Sequence, residues 1–179
     1  MPETLTAAPV SDRVNRVPIT TKPQPIPDGY HTFTPYLIVK GAARAIDFYK
    51  QAFGATERLR LAMPDGRVGH AEIQIGDSVI MLADGCPEMG AKDPEAFGGS
   101  PVMCHLYVPD VDKTFAQATA AGAKVMRPVQ NQFYGDRSGM VTDPFGHIWN
   151  ISTHVEDVTP EEINKRAAAL HGAKGGAPK

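Results

Sequence analysis

The chain has 179 residues, 42% of them hydrophobic, and a formal net charge of -2 at neutral pH. This length allows one ordinary hydrophobic core, and no run of lysine or arginine marks a surface for nucleic acid or a membrane, so we expect neither partner. No segment reaches the ~20 apolar residues of a membrane span. Only two cysteines occur, Cys86 and Cys104, which fits a protein of the reducing cytoplasm without a disulfide framework.

Residues 1–29 contain six prolines, at positions 2, 9, 18, 23, 25 and 27. Proline interrupts both helices and central strands, so this segment is expected to be a Pro-rich N-terminal arm. Two states are open for it: an arm that wraps a partner subunit, or a disordered segment.

A first structural unit is expected over residues 30–84. Apolar and polar residues alternate in 31–41, which predicts a strand. A helix is expected over 42–55 because Ala45, Ile46, Tyr49 and Phe53 recur at helical spacing, and Gly54 supplies a stop. A strand follows over 57–66, and residues 68–84 predict a hairpin that turns at Gly76 and Asp77.

The same order of elements returns after a Gly/Pro-rich linker loop at 85–100. Within 101–155 we expect a strand, a helix that ends at Gly122, and three further strands. Residues 156–179 predict a C-terminal helix and tail, because Thr159 and Glu162 have the spacing of a capping box and Pro160 suits the first helical position. Gly172 is the expected end of that helix.

Self-comparison shows that the second segment repeats the first. Residues 36–39 (YLIV) match 105–108 (HLYV), and 53–55 (FGA) match 121–123 (AGA) with a shift of one residue. The chain is therefore predicted to be an α+β protein of two repeated βαβββ units, forming a curved mixed sheet around a cleft, within one chain or across a dimer. Strand alternation predicts two sets of side chains. The helix-facing set is Leu37, Val39, Ala71, Ile73, Ile75, Cys104, Leu106 and Val108, and the cleft-facing set is Thr34, Tyr36, His70, Glu72, Gln74, His105 and Tyr107.

His70 and Glu72 are the candidate catalytic pair. They lie two residues apart on one predicted strand and so point to the same side, where an imidazole can act as a general base and a carboxylate can tune it. The alternative is a solvated sheet face on which Glu72 pairs with Arg67 or Arg137.

Other residues are candidates for contacts with a ligand. Tyr36 and Tyr107 occupy matched positions of adjacent register in the two units, as ligand contacts or as buried core tyrosines. The loop at 133–137 carries Tyr134 and Arg137, and an arginine there could clamp a carboxylate or phosphate, or pair with Asp136. By alternation the side chain of Trp149 points to the same side of its strand as core residues do, and His147 follows a turn, so both are expected to be structural. Phosphate-binding loops, dinucleotide fingerprints, CxxC pairs and nucleophile elbows are missing from the sequence.

The repeated unit carries TPYLIVKGAARAIDFYKQAFGA in its first copy, and YVPDVDKTFAQATAAGA with GDRSGMVTDPFGHIWNIS in its second. Over residues 31–155 these motifs resemble the vicinal oxygen chelate superfamily of glyoxalases, bleomycin-resistance proteins and extradiol dioxygenases, and within it the PhnB-like branch. The resemblance implies four metal-ligand positions, which fall on Thr34, Met81, Met103 and Asn150. None of these is a histidine or carboxylate, so no metal cofactor is expected there.

The function favoured by the sequence is the binding, or metal-independent transformation, of a small organic molecule in the cleft of a homodimer. Whether the protein is an enzyme is left open. The alternative is a metal-dependent lyase, isomerase or dioxygenase with a divalent ion at a displaced site, and a ligand-free structural domain is a third possibility. The displaced metal site would consist of His70, Glu72 and His105. The expected ligand contacts are Tyr36, Gln74, Met81, Met103, His105, Tyr107, Tyr134, Arg137 and Asn150.

Overall fold

A computed structural model describes residues 23–174. The predictions for the arm up to residue 22 and for the tail after residue 174 lie outside the described residues. The first unit contains one helix and four strands: β1 Tyr36–Val39, α1 Ala42–Phe53, β2 Thr56–Ala62, β3 Val68–Ile75 and β4 Ser78–Asp84.

The second unit has the same order of elements. It follows a connection with two short 3-10 helices, Pro87–Met89 and Pro94–Phe97. Its elements are β5 Met103–Tyr107, α2 Val111–Ala120, β6 Lys124–Asn131, β7 Asp136–Thr142 and β8 Ile148–His154, and the C-terminal helix α3 spans Pro160–Lys174. The expected end of α3 at Gly172 is wrong, because one glycine costs a helix only about 1 kcal/mol and does not by itself stop it.

Each unit forms one four-stranded mixed sheet. The strand orders are β1-β4-β3-β2 and β5-β8-β7-β6, with the first two strands of each order parallel and the remaining pairs antiparallel. The matching topologies confirm the predicted α+β fold of two βαβββ units. In the described part of the chain, the two sheets are not hydrogen-bonded to each other.

Both ends of α1 are set by specific groups. Asp84, at the end of β4, accepts hydrogen bonds from the backbone N–H of Gly41 and Ala42 at 2.7 and 2.9 Å. Its carboxylate therefore supplies the N-terminal cap that Gly41 has no side chain to provide. Gly54 ends the helix in the left-handed region at φ 66°, as the sequence predicts.

The predicted helix-facing side chains are in the core. All five from the first unit are buried, and Cys104, Leu106 and Val108 of the second are partly buried against the same apolar cluster. Trp149 is 1% exposed, which confirms its expected place in the core. The helices that cover the sheets on this side, α1 and α2, also contact each other and join the two units. None of the helices in the described residues is long and apolar enough to cross a membrane.

Asp143 strengthens the connection between the units. Its carboxylate, 3% exposed, accepts from the Tyr49 hydroxyl of α1 at 2.8 Å and from Trp149 Nε1 of β8 at 2.9 Å. The backbone N–H groups of Phe145 and His147 donate to its other oxygen at 2.9 Å. The aspartate of the DPFGH motif therefore bonds a helix of one unit to the sheet of the other.

Candidate functional site

The side of each sheet that faces away from the helices carries a row of aligned side chains. In the first sheet, Tyr36 pairs with Met81, Met81 with Glu72, and Glu72 with Leu59. Residues directly opposite each other on paired strands point to the same face. We call this side of the first sheet polar face 1.

The second sheet has the matching row. His105 pairs with Asn150, Asn150 with Met140, and Met140 with Arg127. We call this side polar face 2. The residues of the two rows occupy equivalent positions in their sheets, but the rows carry opposite charges. The first row contains the carboxylate of Glu72 on β3, and the second contains the guanidinium of Arg127 on β6.

Polar face 1 brings together the predicted catalytic pair and a predicted ligand contact. The Tyr36 hydroxyl lies 2.9 Å from His70 Nδ1, and His70 Nε2 lies 3.4 Å from Glu72 Oε1. An ionised carboxylate only accepts, so Nε2–H donates to Glu72, and in the neutral ring Nδ1 accepts from Tyr36. Phenol, imidazole and carboxylate therefore form one chain along which a proton can be passed.

The anionic end of this chain is enclosed by a residue that precedes β1. Glu72 is 9% exposed, and the Tyr30 hydroxyl donates to its Oε2. That hydrogen bond lowers the pKa of Glu72 below its ordinary value, so the carboxylate is charged at neutral pH. Arg58 lies over the Tyr30 ring, 4.9 Å from its centroid, and donates to the Gly29 carbonyl at 3.2 Å.

Tyr36 is the accessible end of the chain. Its side chain is 47% exposed, and partial burial raises the pKa of its hydroxyl. The hydroxyl is therefore protonated at neutral pH and available to a molecule that lies on polar face 1.

Polar face 2 carries a network around Asn150. Arg127 Nη2 donates to Asn150 Oδ1 at 3.1 Å and to the Ser138 hydroxyl at 3.0 Å. Asn150 Nδ2 in turn lies 3.0 Å from His105 Nδ1 and 3.1 Å from the Ser152 hydroxyl. An amide N–H₂ can only donate, so His105 Nδ1 accepts, and the ring proton is on the outer Nε2.

A second cluster lies beside this network. Tyr107 donates to buried Asp136 at 2.9 Å, which raises the pKa of the Tyr107 hydroxyl. His154 Nδ1 lies 2.9 Å from the other Asp136 oxygen, and His154 also contacts Asp157 at 3.0 Å. These two contacts raise the pKa of His154. Asp136 is thus enclosed by two donors of its own sheet.

Several predicted ligand contacts lie elsewhere or have local partners. Arg137 does not reach polar face 2: it points to the helix side and pairs with Asp112 of α2 through two bonds of 2.7 Å. The expected alternative contact with Asp136 is also not formed. The physical reason is that β7 begins at Asp136, so alternation puts that residue, and not Arg137, on the polar face. Gln74 donates to the Gly76 carbonyl, and Tyr134 lies in the turn before β7, against Phe133.

Both polar faces are open in the single chain. Tyr36 and Met103 are each 47% exposed, and Tyr107 is 61% exposed. Two open pockets found in the described residues lie off these faces, one of about 200 Å³ beside Lys40 and one of about 330 Å³ beside Phe48. The described part of one chain therefore presents two polar surfaces that do not enclose a ligand between them.

Comparison with known proteins agrees with this architecture. The model of the Glyoxalase/Bleomycin resistance protein/Dioxygenase superfamily matches residues 29–151. The chain belongs to this superfamily. An uncharacterized protein of Mycobacterium bovis is 46% identical over 133 residues, which cover 73% of this chain and 88% of the relative.

Solved structures of the superfamily's fold are also similar. TioX from Micromonospora sp. ML1 is 28% identical with a TM-score of 0.55, covering 69% of this chain and 98% of TioX. Protein PA1353 from Pseudomonas aeruginosa is 27% identical with a TM-score of 0.56, again covering 69% and 98%.

The residues at the superfamily's ligand positions do not fit a divalent metal ion. Thr34, Met81, Met103 and Asn150 provide a hydroxyl, two thioethers and an amide, which are weak ligands for hard and borderline ions. The amide oxygen of Asn150 already accepts from Arg127, whose positive charge opposes a cation at this point. The displaced set of His70, Glu72 and His105 is also not gathered in one chain: the described residues contain no group of three potential His, Cys, Asp or Glu ligands.

Sequence reasoning missed Tyr30 and Arg127. Tyr30 precedes the first periodic segment, so no strand or helix pattern indicates its direction. Arg127 lies between two irregularities in the pairing of β6 with β7, which break the alternation on both sides of it. The remaining signal for Arg127 was its residue type, a single arginine in an otherwise moderately apolar strand.

Proposed function

We propose that this superfamily member works as a homodimer, in which polar face 1 of one protomer and polar face 2 of the other enclose a small organic molecule. The molecule is bound, or transformed without a metal ion. The observation that carries the proposal is the chain Tyr36–His70–Glu72 on an open surface, with hydrogen bonds of 2.9 and 3.4 Å.

The exposed side chains support a second copy as the missing wall. Exposed apolar groups accompany the polar ones on both faces, among them Leu59 and Leu61 of β2, opposite Glu72 and His70, and Met103 of β5, on the same side as His105. Apolar groups of this extent are typical of a surface that another protein covers. Opposite charges at Glu72 and Arg127 also favour pairing of unlike faces.

The proposed chemistry is proton transfer at Tyr36. His70 accepts the phenolic proton while Glu72 stabilises the imidazolium that forms, so the Tyr36 oxygen can take a proton from a bound molecule and return it. Tyr30 holds Glu72 in the charged state that this role needs. A protein that only binds would use the same groups as hydrogen-bond partners.

We also assign the chain to the PhnB-like branch, on the GDR loop and the DPFGH-W motif of the second unit. A PhnB protein from Bacillus cereus is 17% identical with a TM-score of 0.55, a similarity that reflects the fold alone.

The proposal is tested first by the mass of the protein in solution and then by its binding of a small molecule. Light scattering and native mass spectrometry should give twice the chain mass of 19.2 kDa, with a co-purified or added small molecule on the dimer. His70→Gln should abolish the stabilisation by that molecule. His31→Gln is the matched control, because the side chain of His31 is 63% exposed and lies off this network. A monomer at all concentrations, or equal stabilisation of the His70 variant, would contradict the proposal.

The alternative is a metal-dependent lyase, isomerase or dioxygenase that holds a divalent ion with His70, Glu72 and His105, for which a second copy must bring the two sheets together. Elemental analysis of untagged protein purified without chelator separates the cases. Stoichiometric Zn, Fe, Mn or Ni that is lost in His70→Ala would favour the metal enzyme. A dimer whose faces fill each other, with no stabilising compound in a broad screen, would favour a structural domain.

A further inference from the structure

Polar face 2 contains a cation without a counter-charge. The hydrogen bonds of the Arg127 guanidinium within residues 23–174 go to Ser138 and Asn150, both neutral, and both come from Nη2. No carboxylate oxygen of those residues lies within 4.0 Å of its nitrogens. Arg60, Arg67, Arg137 and Arg166 each form an ion pair with an acidic side chain. Arg44 and Arg58 also lack an ion pair in the described residues, but both are exposed, whereas Arg127 is partly buried.

The unused donor of Arg127 is also buried. Its Nε has no hydrogen-bond partner among residues 23–174 and almost no solvent-accessible surface. A buried donor without an acceptor is unfavourable, and it is more so on a charged group, so native proteins rarely keep one without a use for it. The guanidinium also prefers two parallel bonds to one planar oxyanion, a geometry that its current partners do not provide.

The neighbouring groups hold the guanidinium in place and add one further donor. Asn150 lies between Arg127 and His105: its Oδ1 accepts from the guanidinium, and its Nδ2 donates to His105 Nδ1. That contact leaves the ring proton of exposed His105 on Nε2, which has no partner in the described part of the chain. The other Asn150 N–H donates to the Ser152 hydroxyl, so both amide donors are in use. Ser138 is fully buried and accepts from the guanidinium, so Arg127 and His105 are the groups that keep unpaired donors within the described residues.

We propose that Arg127 and His105, with the guanidinium held by Asn150 and Ser138, bind the oxyanion of a small molecule, a carboxylate or a phosphoryl group. This inference rests on the proposed function and deepens it, because it names the chemical class of the ligand. Such a molecule would place its anionic end on polar face 2 and its remainder toward the Tyr36–His70–Glu72 chain. The negative charges of the oxyanion and of Glu72 repel each other, and this repulsion keeps the anionic end of the molecule away from Glu72.

The test measures binding of defined probes at constant ionic strength. Benzoate and phenylphosphonate are titrated, with uncharged benzamide as the comparison, and backbone amide shifts of the ¹⁵N-labelled protein are followed. Both anions should shift residues of β5 and β6 around His105 and Arg127, and benzamide should not. The ratio of the two affinities separates a carboxylate site from a phosphoryl site.

Variants of Arg127 then test whether this residue binds the anions. Arg127→Gln should weaken anion binding at least tenfold, and Arg127→Lys should weaken it less, because the charge stays and the planar fork is lost. Arg44→Gln is the matched control: it makes the same change of charge on helix α1, at an exposed arginine without a carboxylate partner in the described residues. Equal affinity in Arg127→Gln, or equal loss in Arg44→Gln, would overturn the proposal.

Thermal stability distinguishes a ligand-binding arginine from a structural one. Without ligand, Arg127→Gln should change the melting temperature little, because the removal of an uncompensated charge offsets the loss of the bonds to Ser138 and Asn150. A lower melting temperature for both Arg127→Gln and Arg127→Lys would show a structural role and count against the site. Light scattering on the same samples separates the two proposals: monomers that bind anions through Arg127 refute only the dimer, and dimers that do not bind them refute only the oxyanion site.

Discussion

Replacing Asp143 by asparagine should destabilise the protein strongly. The substitution keeps the shape of the side chain but replaces one of its two hydrogen-bond-accepting oxygens by an N–H₂ group, which donates. The amide oxygen of the new side chain can still accept from the backbone N–H groups of Phe145 and His147. Its N–H₂ group would then face the Tyr49 hydroxyl and Trp149 Nε1–H, which now donate to the second carboxylate oxygen at 2.8 and 2.9 Å. The tyrosine hydroxyl can turn and accept, whereas the indole N–H can only donate.

The magnitude follows from these partners. One orphaned, buried indole N–H costs about 1 to 3 kcal/mol, and loss of the charge on the remaining bonds adds about 1, so Asp143→Asn should cost about 2 to 4 kcal/mol. Tyr49→Phe keeps the ring in the core and should cost about 1 kcal/mol. The double variant should cost less than the sum, since the two residues share a bond.

Urea unfolding followed by circular dichroism measures these differences. Asp77→Asn is the matched control, because that carboxylate is 88% exposed on the β3–β4 turn, and it should change the free energy of unfolding by less than about 0.5 kcal/mol. A loss below about 0.5 kcal/mol for Asp143→Asn would refute the reasoning that this carboxylate joins the units.

Two further predictions concern Glu72 and a glycine. The hydrogen bond from Tyr30 lowers the pKa of Glu72 in the folded protein below its ordinary value of 4.5. The ionised Glu72 therefore stabilises the fold above pH 4.5, and this stabilisation is lost as the pH falls through the folded-state pKa. The urea midpoint of the native protein should therefore fall more steeply between about pH 5 and pH 3 than that of Glu72→Gln, and parallel curves would contradict this. Gly135→Ala should cost at least about 2 kcal/mol, because φ is 99° and a Cβ would lie 2.1 Å from the Glu156 carbonyl oxygen. Gly54→Ala, at φ 66° with open space around it, should cost about 1 kcal/mol in the same measurement, and equal costs would exclude the steric explanation.

Local patterns in the sequence predicted the fold well where one periodicity runs unbroken. The α1 helix, its stop at Gly54 and the β3–β4 hairpin follow from spacing and turn chemistry, because these elements depend on neighbours a few residues away. Alternation along β3 likewise predicted that His70 and Glu72 share a face. Alternation does not indicate the direction of Arg127, because the irregular pairing of β6 with β7 changes which residues of β6 point to each side of the sheet.

The sequence by itself therefore determined the two repeated units, the buried side of each sheet and the unusual residues at the superfamily's ligand positions. Each of these depends on residue type and short-range spacing. Only the tertiary structure decided which polar groups meet: Tyr30 reaches Glu72 across 42 positions, and His105 reaches Asn150 across 45. It also decided that Arg137 pairs with Asp112 and that Arg127 has no counter-charge among residues 23–174. The physical reason is that hydrogen bonds and ion pairs depend on distances of about 3 Å between side chains, and the packing of distant strands sets those distances.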